Sequence, residues 1–202
     1  KFEGMDTVKG EIYHTGDWPH EGVDFTGKRV GVIGTGSSAI QSIPLMAEQA
    51  DQLTVFQRTA TFTVPAANRP VTANERRATK RSYTQLRAQA RRSHTGVLLE
   101  PAIGAYGEVE ERIVRGELER RWRGAGFGTT GVLSDNLRSI EANNYTSQFV
   151  RDKINEIVDD PAVAKLLEPH DYPIGTKRLA LDTNYYDTYN RENVKLVSVR
   201  NT

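Results

Sequence analysis

Residues 30–41 read V-G-V-I-G-T-G-S-S-A-I-Q, a short apolar strand that runs into a glycine turn and then a helix. In that context a G-x-G-x-x-A spacing has physical meaning, because each small residue has its own task. Gly34 lets the backbone turn sharply. Gly36 lets the main chain approach a pyrophosphate with no Cβ in between, and Ala39 keeps the new helix close to its strand. The N–H groups that open the helix at Ser37, Ser38, Ala39, Ile40 and Gln41 then face an anion with the helix dipole behind them. Together with Thr35 between the glycines, these residues form a candidate dinucleotide-binding set.

Around this turn the chain has 202 residues, enough for one large or two small domains and a sizeable core. Hydrophobic residues make up 37%, and mean hydropathy is −0.57. Values that low suggest a long, solvent-exposed helical portion beside the sheet. The net charge of +1 supplies no global field for nucleic acid or a membrane. With no cysteine, thiol catalysis, disulfides and cysteine-ligated metals are excluded. The four histidines show no metal-ligand spacing, so no metal site is expected. No apolar run is long enough to span a bilayer and no leader pattern opens the chain, which reads as cytoplasmic. It begins at Lys1 and stops just after a strand-like run, as a piece excised from a longer polypeptide would.

Residues 1–27 are turn-rich, with Gly4, Gly10, Gly16, Gly22 and Gly27 separating short apolar pieces. A strand over 29–34 is followed by a helix over about 38–49, with Ile40, Ile43, Leu45 and Met46 on its buried side and Pro44 early enough to cost little. Residues 53–57 make the second strand, and strand–helix–strand within about 30 residues is a parallel βαβ unit. Charged, helix-prone stretches follow at about 74–93, 108–124 and 141–159. In the last, Val150, Ile154, Ile157 and Val158 form an amphipathic stripe, and Phe149 beside it is read as core. Asp160-Pro161 opens a further short helix through Leu167. The glycine-rich piece 124–131 reads as a loop. Composition returns to turn and strand from Tyr172, with 193–199 a good parallel strand and Tyr185 and Tyr186 packing on the returning sheet. The reading is an α/β fold: a Rossmann-like domain over 1–64 and 173–202, interrupted by an all-helical insertion over 65–172.

The second strand ends Phe56-Gln57-Arg58-Thr59 with no acid to hold a ribose 2′-hydroxyl, the usual mark of an NAD site. Arg58 offers a planar donor fork and Thr59 a hydroxyl, which suit a 2′-phosphate. The expected nucleotide is NADP(H).

Upstream, Gly10, His14, Trp18 and Pro19 stand in the order of the fingerprint F-x-G-x-x-x-H-x-x-x-W-P, with Val8 where that pattern has Phe. This resembles the type I Baeyer–Villiger monooxygenases, in which the fingerprint precedes the second of two Rossmann turns. V-G-V-I-G-T-G-S-S, V-F-Q-R-T, Y-P-I-G-T-K-R and N-Y-Y-D-T-Y-N-R-E-N-V extend the resemblance along most of the chain, toward the phenylacetone, steroid and cyclohexanone monooxygenases. It implies a flavoenzyme in which NADPH reduces FAD, O2 adds to the reduced flavin, and the resulting peroxyflavin anion converts a ketone into an ester or lactone. By matching positions, the resemblance puts Lys177 on the 2′-phosphate beside Arg58 and Thr59. It puts Arg178 against the oxygenated flavin, as the catalytic cation that stabilises its negative charge. His14 and Trp18 are implied near a hinge, organising rather than transferring protons. The family's FAD-binding turn is absent, so FAD would be held mainly by the remainder of the same polypeptide, and this chain alone is expected to oxygenate nothing.

Two alternatives stand beside this reading. One is a flavin monooxygenase that oxygenates nitrogen or sulfur; the other is a standalone NADP-binding module whose helical part binds a partner. The basic residues of the first charged helix (Arg76, Arg77, Lys80, Arg81, Arg87, Arg91 and Arg92) lack interleaved aromatics. They are read as a solvated face pairing with Glu108, Glu110 and Glu111, not as a nucleic-acid surface.

Overall fold

The computed structural model describes residues 3–93, 96–124 and 126–200. Strand β1 (Arg29–Ile33), helix α1 (Ser37–Gln49) and strand β2 (Gln52–Gln57) form the expected parallel βαβ unit. The last strand, β5 (Val194–Ser198), lies parallel beside β2, giving the order β1-β2-β5. Val30 stands opposite Leu53, and Leu53 opposite Val194. Between β2 and β5 come β3 (Thr63–Pro65), α2 (Ala73–Arg92), α3 (Glu111–Gly124), α4 (Ile140–Ile157), α5 (Pro161–Leu167) and β4 (Ala180–Asp182). Short β3 and β4 pair parallel as a second, two-stranded sheet that no alternating run announced. The glycine-rich stretch read as a loop closes into a 3-10 helix over Gly126–Gly131.

Two clusters of buried side chains hold these elements. One gathers Ile40, Ile43, Leu53 and Val55 with Ile154, Val158, Ala164 and Leu167, so the ends of α4 and α5 share the sheet's core. The other gathers Phe62, Val114, Leu118, Trp122, Phe149, Val150 and Ile174. Ile157 packs against both. Tyr185 and Tyr186 are buried in the first cluster, as expected.

Helix α1 departs from expectation at two neighbouring residues. Pro44 is the eighth of its thirteen residues, well inside the helix, and it is buried. Ile40, Ile43, Pro44 and Ala47 follow the i, i+3, i+4, i+7 spacing and make the buried stripe. Leu45, one residue on, is rotated about 100° off that stripe and is 61% exposed. The packing of Pro44 offsets the main-chain bond to Ile40 that it cannot make.

Helix α2 is closed at its start by a capping box of Thr72 and Glu75, with Arg69 bidentate on Glu75, and none of its residues is buried. Its seven basic side chains lie within a helical arc of about 160° and are all exposed. No ion pair joins them to any acid among the described residues, which corrects the expected pairing. Glu108 instead accepts from the Ala105 N–H, and Glu110 holds Arg112.

Where β3 meets β4, the Thr63 hydroxyl donates to Asp182 and the Tyr185 N–H donates to its other oxygen at 3.2 Å. Burial pushes the Asp182 carboxyl above its ordinary 3.8, and these two donors only partly offset it. The folded state therefore holds this proton more tightly than the unfolded chain. Stability from this group is greatest below about pH 3.8 and falls as pH rises toward the folded value. Urea unfolding at a series of pH values should show Asp182→Asn gaining on the natural chain as pH rises above about 3.8; a difference flat with pH would contradict this assignment.

Candidate functional site

The site begins where β1 ends. Gly34 has φ +96°, a conformation that L side chains rarely adopt, and its N–H still donates to the Phe56 carbonyl at 2.9 Å. Gly36, extended at φ −81° and ψ 177°, is the N-cap of α1 and makes no side-chain cap. A Cβ on either glycine would meet no atom within 4 Å. Nothing in the fold itself thus demands glycine at 36, and the space over the turn is open. The uncapped start of α1 turns its first N–H groups toward that space. This open cradle fits a dinucleotide pyrophosphate.

The candidate residues fall into separate roles. Thr35 is buried, and its hydroxyl donates to the Thr59 carbonyl at 3.0 Å, tying the glycine turn to the end of β2. Ser37, Ser38 and Gln41 are exposed around the helix start. Ala39 and Ile40 point into the core, and the Ile40 N–H already donates to the Gly36 carbonyl at 2.9 Å. Ile40 therefore has neither side chain nor N–H to offer a ligand; its contribution is packing. Arg58 is exposed beyond β2, beside half-buried Thr59.

Lys177 and Arg178 arrive on the segment before β4, which is fastened at three points. Asn143 of α4 clamps Ile174, accepting from its N–H at 3.0 Å and donating to its carbonyl at 2.9 Å. Gly175, at φ +90°, passes so close to Leu137 that a Cβ would stand 2.7 Å from it. The Tyr172 hydroxyl donates to the Ala60 carbonyl at 3.2 Å and accepts from the Phe62 N–H at 3.3 Å. Burial pushes that phenol above its ordinary range. Lys177 Nζ sits 4.1 Å from the centre of the Tyr172 ring. The fold thus brings the 172–178 segment to the turn after β2. Arg58, Lys177 and Arg178 have no carboxylate partner among the described residues, so their charge is available to an anion.

Sequence reasoning gave no role to Tyr172 or Asn143. Tyr172 stood at the head of the quoted Y-P-I-G-T-K-R motif. Asn143 carried a weak signal of its own, an amide inside a helix, where it competes with the backbone unless a partner claims it.

The fingerprint segment packs beside α1. Thr15 and Trp18 line a cavity of about 270 Å³ with Ser38, Gln41 and Ser42. His14 accepts the Gly16 N–H on Nδ1 at 3.1 Å, and a Cβ on Gly16 would press its ring at 3.2 Å. Trp18 contacts the rings of Tyr13 and Phe25 at 5.8 and 6.2 Å, while Pro19 is half-buried and Gly10 exposed. His14 is thus engaged in holding a turn. No group of three potential metal ligands occurs among the described residues, from which His94 is excluded. No described helix is long and apolar enough to cross a membrane.

Fold and site together define an α/β protein with an open glycine turn at the end of its first strand. No protein-family model matches the chain. A Baeyer–Villiger monooxygenase of Pseudooceanicola batsensis is 42% identical over 206 residues, covering 99% of this chain and 36% of that protein. A phenazine N-monooxygenase of Lysobacter antibioticus is 39% identical, covering 98% and 37%. The solved structure of an oxidized steroid monooxygenase bound to NADP superposes with a TM-score of 0.95 at 48% identity, over 99% of this chain and 38% of that one. Over nearly its whole length, the chain's homologues include Baeyer–Villiger monooxygenases. The chain spans a little over a third of the length of these relatives.

Proposed function

We propose that this chain is the NADP(H)-binding portion of an FAD-dependent Baeyer–Villiger monooxygenase, acting with O2 on a ketone. In this reading residues 1–64 and 173–202 bind the nucleotide and 65–172 are the helical insertion. The observation that carries it is the open, uncapped turn at Gly34 and Gly36 with two cations, Arg58 and Lys177, that have no carboxylate partner among the described residues and are tethered to the same turn after β2. Gly36 and the α1 start would hold the pyrophosphate, and Arg58, Thr59 and Lys177 the 2′-phosphate. The nucleotide supplies a hydride when bound, and the residues here place and orient it. Arg178 would hold a permanent positive charge toward the flavin side of the nucleotide, stabilising negative charge there without exchanging a proton. His14, Gly10, Trp18 and Pro19 would set how the fingerprint segment meets α1 as the parts of the enzyme move.

Gly36→Ala separates function from fold. Its φ suits an L-residue and its Cβ meets nothing, so thermal stability should change by no more than about 1 kcal/mol. NADP⁺ affinity by calorimetric titration should nonetheless fall at least tenfold, because the methyl stands where the pyrophosphate approaches. Unchanged affinity in the folded variant would remove the turn from the site. The N-oxygenating relative favours a second reading, oxygenation at nitrogen. Product analysis of the enzyme carrying this chain, with a cyclic ketone and with a phenazine, separates the two.

A further inference from the structure

We infer that Tyr172 is a positioning residue for nucleotide selectivity: its ring holds the Lys177 ammonium where a 2′-phosphate would be read. The inference rests on the NADP(H) reading of the site.

Lys177 lies on an exposed segment, and a lysine stem has many rotamers. A free ammonium there would have to be ordered each time a phosphate arrives, and that ordering weakens binding. Here Lys177 Nζ instead rests on the face of Tyr172, 4.1 Å from the ring centre, well inside cation–π range. The ring itself is fixed by its other contacts. Its hydroxyl donates to the Ala60 carbonyl and accepts from the Phe62 N–H, and its edge meets Phe62 at 5.6 Å and 88°. Ala60 follows Arg58 and Thr59, the candidate phosphate contacts, and Thr59 is bonded through Thr35 to the glycine turn. One aromatic side chain therefore ties the second cation to the first and both to the pyrophosphate cradle. The ring surrenders the ammonium readily, because a phosphate dianion attracts it more strongly than a ring quadrupole does.

The test is the ratio of NAD⁺ to NADP⁺ dissociation constants, measured by calorimetry on the natural chain, Lys177→Ala, Tyr172→Leu and Tyr172→Phe. Lys177→Ala should cut the ratio at least tenfold. Tyr172→Leu, which keeps bulk and removes the ring face, should cut it about threefold to fivefold with NAD⁺ binding unchanged. Tyr172→Phe, which keeps the face, should restore most of the ratio. If Lys177→Ala lowers the ratio while folded Tyr172→Leu keeps it, the positioning role is overturned and the NADP(H) reading stands. If Lys177→Ala leaves the ratio unchanged, Lys177 is not a phosphate reader and the reading itself loses that contact. A second measurement needs no stable variant at Tyr172. In the natural chain the Lys177 ε-methylene protons should resonate upfield by ring current, identified through the signal lost in Lys177→Ala. An unshifted signal overturns the stack.

Discussion

Replacing both Arg58 and Lys177 by alanine is expected to lower NADP⁺ affinity by two orders of magnitude or more while changing NAD⁺ affinity less than threefold. Each side chain would donate charge-assisted hydrogen bonds to the 2′-phosphate, worth about 1.5–3 kcal/mol apiece, and 1.4 kcal/mol is tenfold. NAD⁺ has no group at that position to lose. Neither residue takes part in an ion pair among the described residues: Arg58 is exposed, and the Lys177 ammonium rests on the Tyr172 ring. The double variant should therefore melt at the natural temperature. The single variants should sum to more than the double shows, because both would grip one phosphate and are coupled through it. Equal losses for both nucleotides would mean that the two cations read something common to them, such as the pyrophosphate.

Phe149→Ala is expected to be the most damaging single truncation for stability, at about 3–5 kcal/mol. Phe149 is 1% exposed at the middle of α4, and its ring meets Trp122 of α3 edge-on at 5.9 Å. Arg115 and Lys153 lie over the same ring at 5.0 and 5.5 Å. These two cations are held by Glu119, Asp152 and Glu156, with Arg115 2.7 Å from Asp152 and Lys153 2.7 Å from Glu119. Removing the ring opens a cavity and also takes away the floor on which this α3–α4 ion network rests. A loss of that size is a large fraction of the 5–15 kcal/mol typical of a folded chain. In urea titration the midpoint should drop sharply at an unchanged slope. Phe149→Leu, which keeps most of the volume, should recover more than half of the loss.

The sequence made the βαβ unit legible because three local signals agreed there: a short apolar run, glycines at the turn that follows it, and a second strand of β-favouring residues. The strand 193–199 was legible for the same reason. Elsewhere local signals were outweighed by tertiary ones. Pro44 read as an early helical residue, yet packing carries α1 past it, and its burial displaces Leu45 to the surface. The β3–β4 pair has only three residues per strand, too few for a period-2 pattern, and is fixed by the Thr63–Asp182 contact across 119 residues of chain. The basic face of α2 looked as though it needed acidic neighbours, but exposure to water suffices. At the site, Gly34, Gly36 and Arg58 could be singled out from spacing. Lys177 and Arg178 needed a family resemblance, because their neighbourhood with the end of β2 is created by Tyr172 reaching Ala60, a contact no local pattern encodes.

Ile157, which touches both cores, limits how this chain can be recombined. A helical segment set between two sheet strands looks like a cassette that could be exchanged among relatives to vary what they accept. Cutting at residues 65 and 172 would also remove Ile154, Val158, Ala164 and Leu167 from the core they share with Ile40, Ile43 and Leu53. Each lost burial of a large apolar side chain costs on the order of 1.5–3 kcal/mol, so a grafted segment must bring its own equivalents of these residues. A joint inside α4 just before Asp152 keeps those core residues with the sheet, but the grafted α3 must then supply partners for Asp152, Lys153 and Glu156, which pair with Arg115 and Glu119 here. A chimaera spliced there exchanges α2 and α3 and leaves the sheet's core whole.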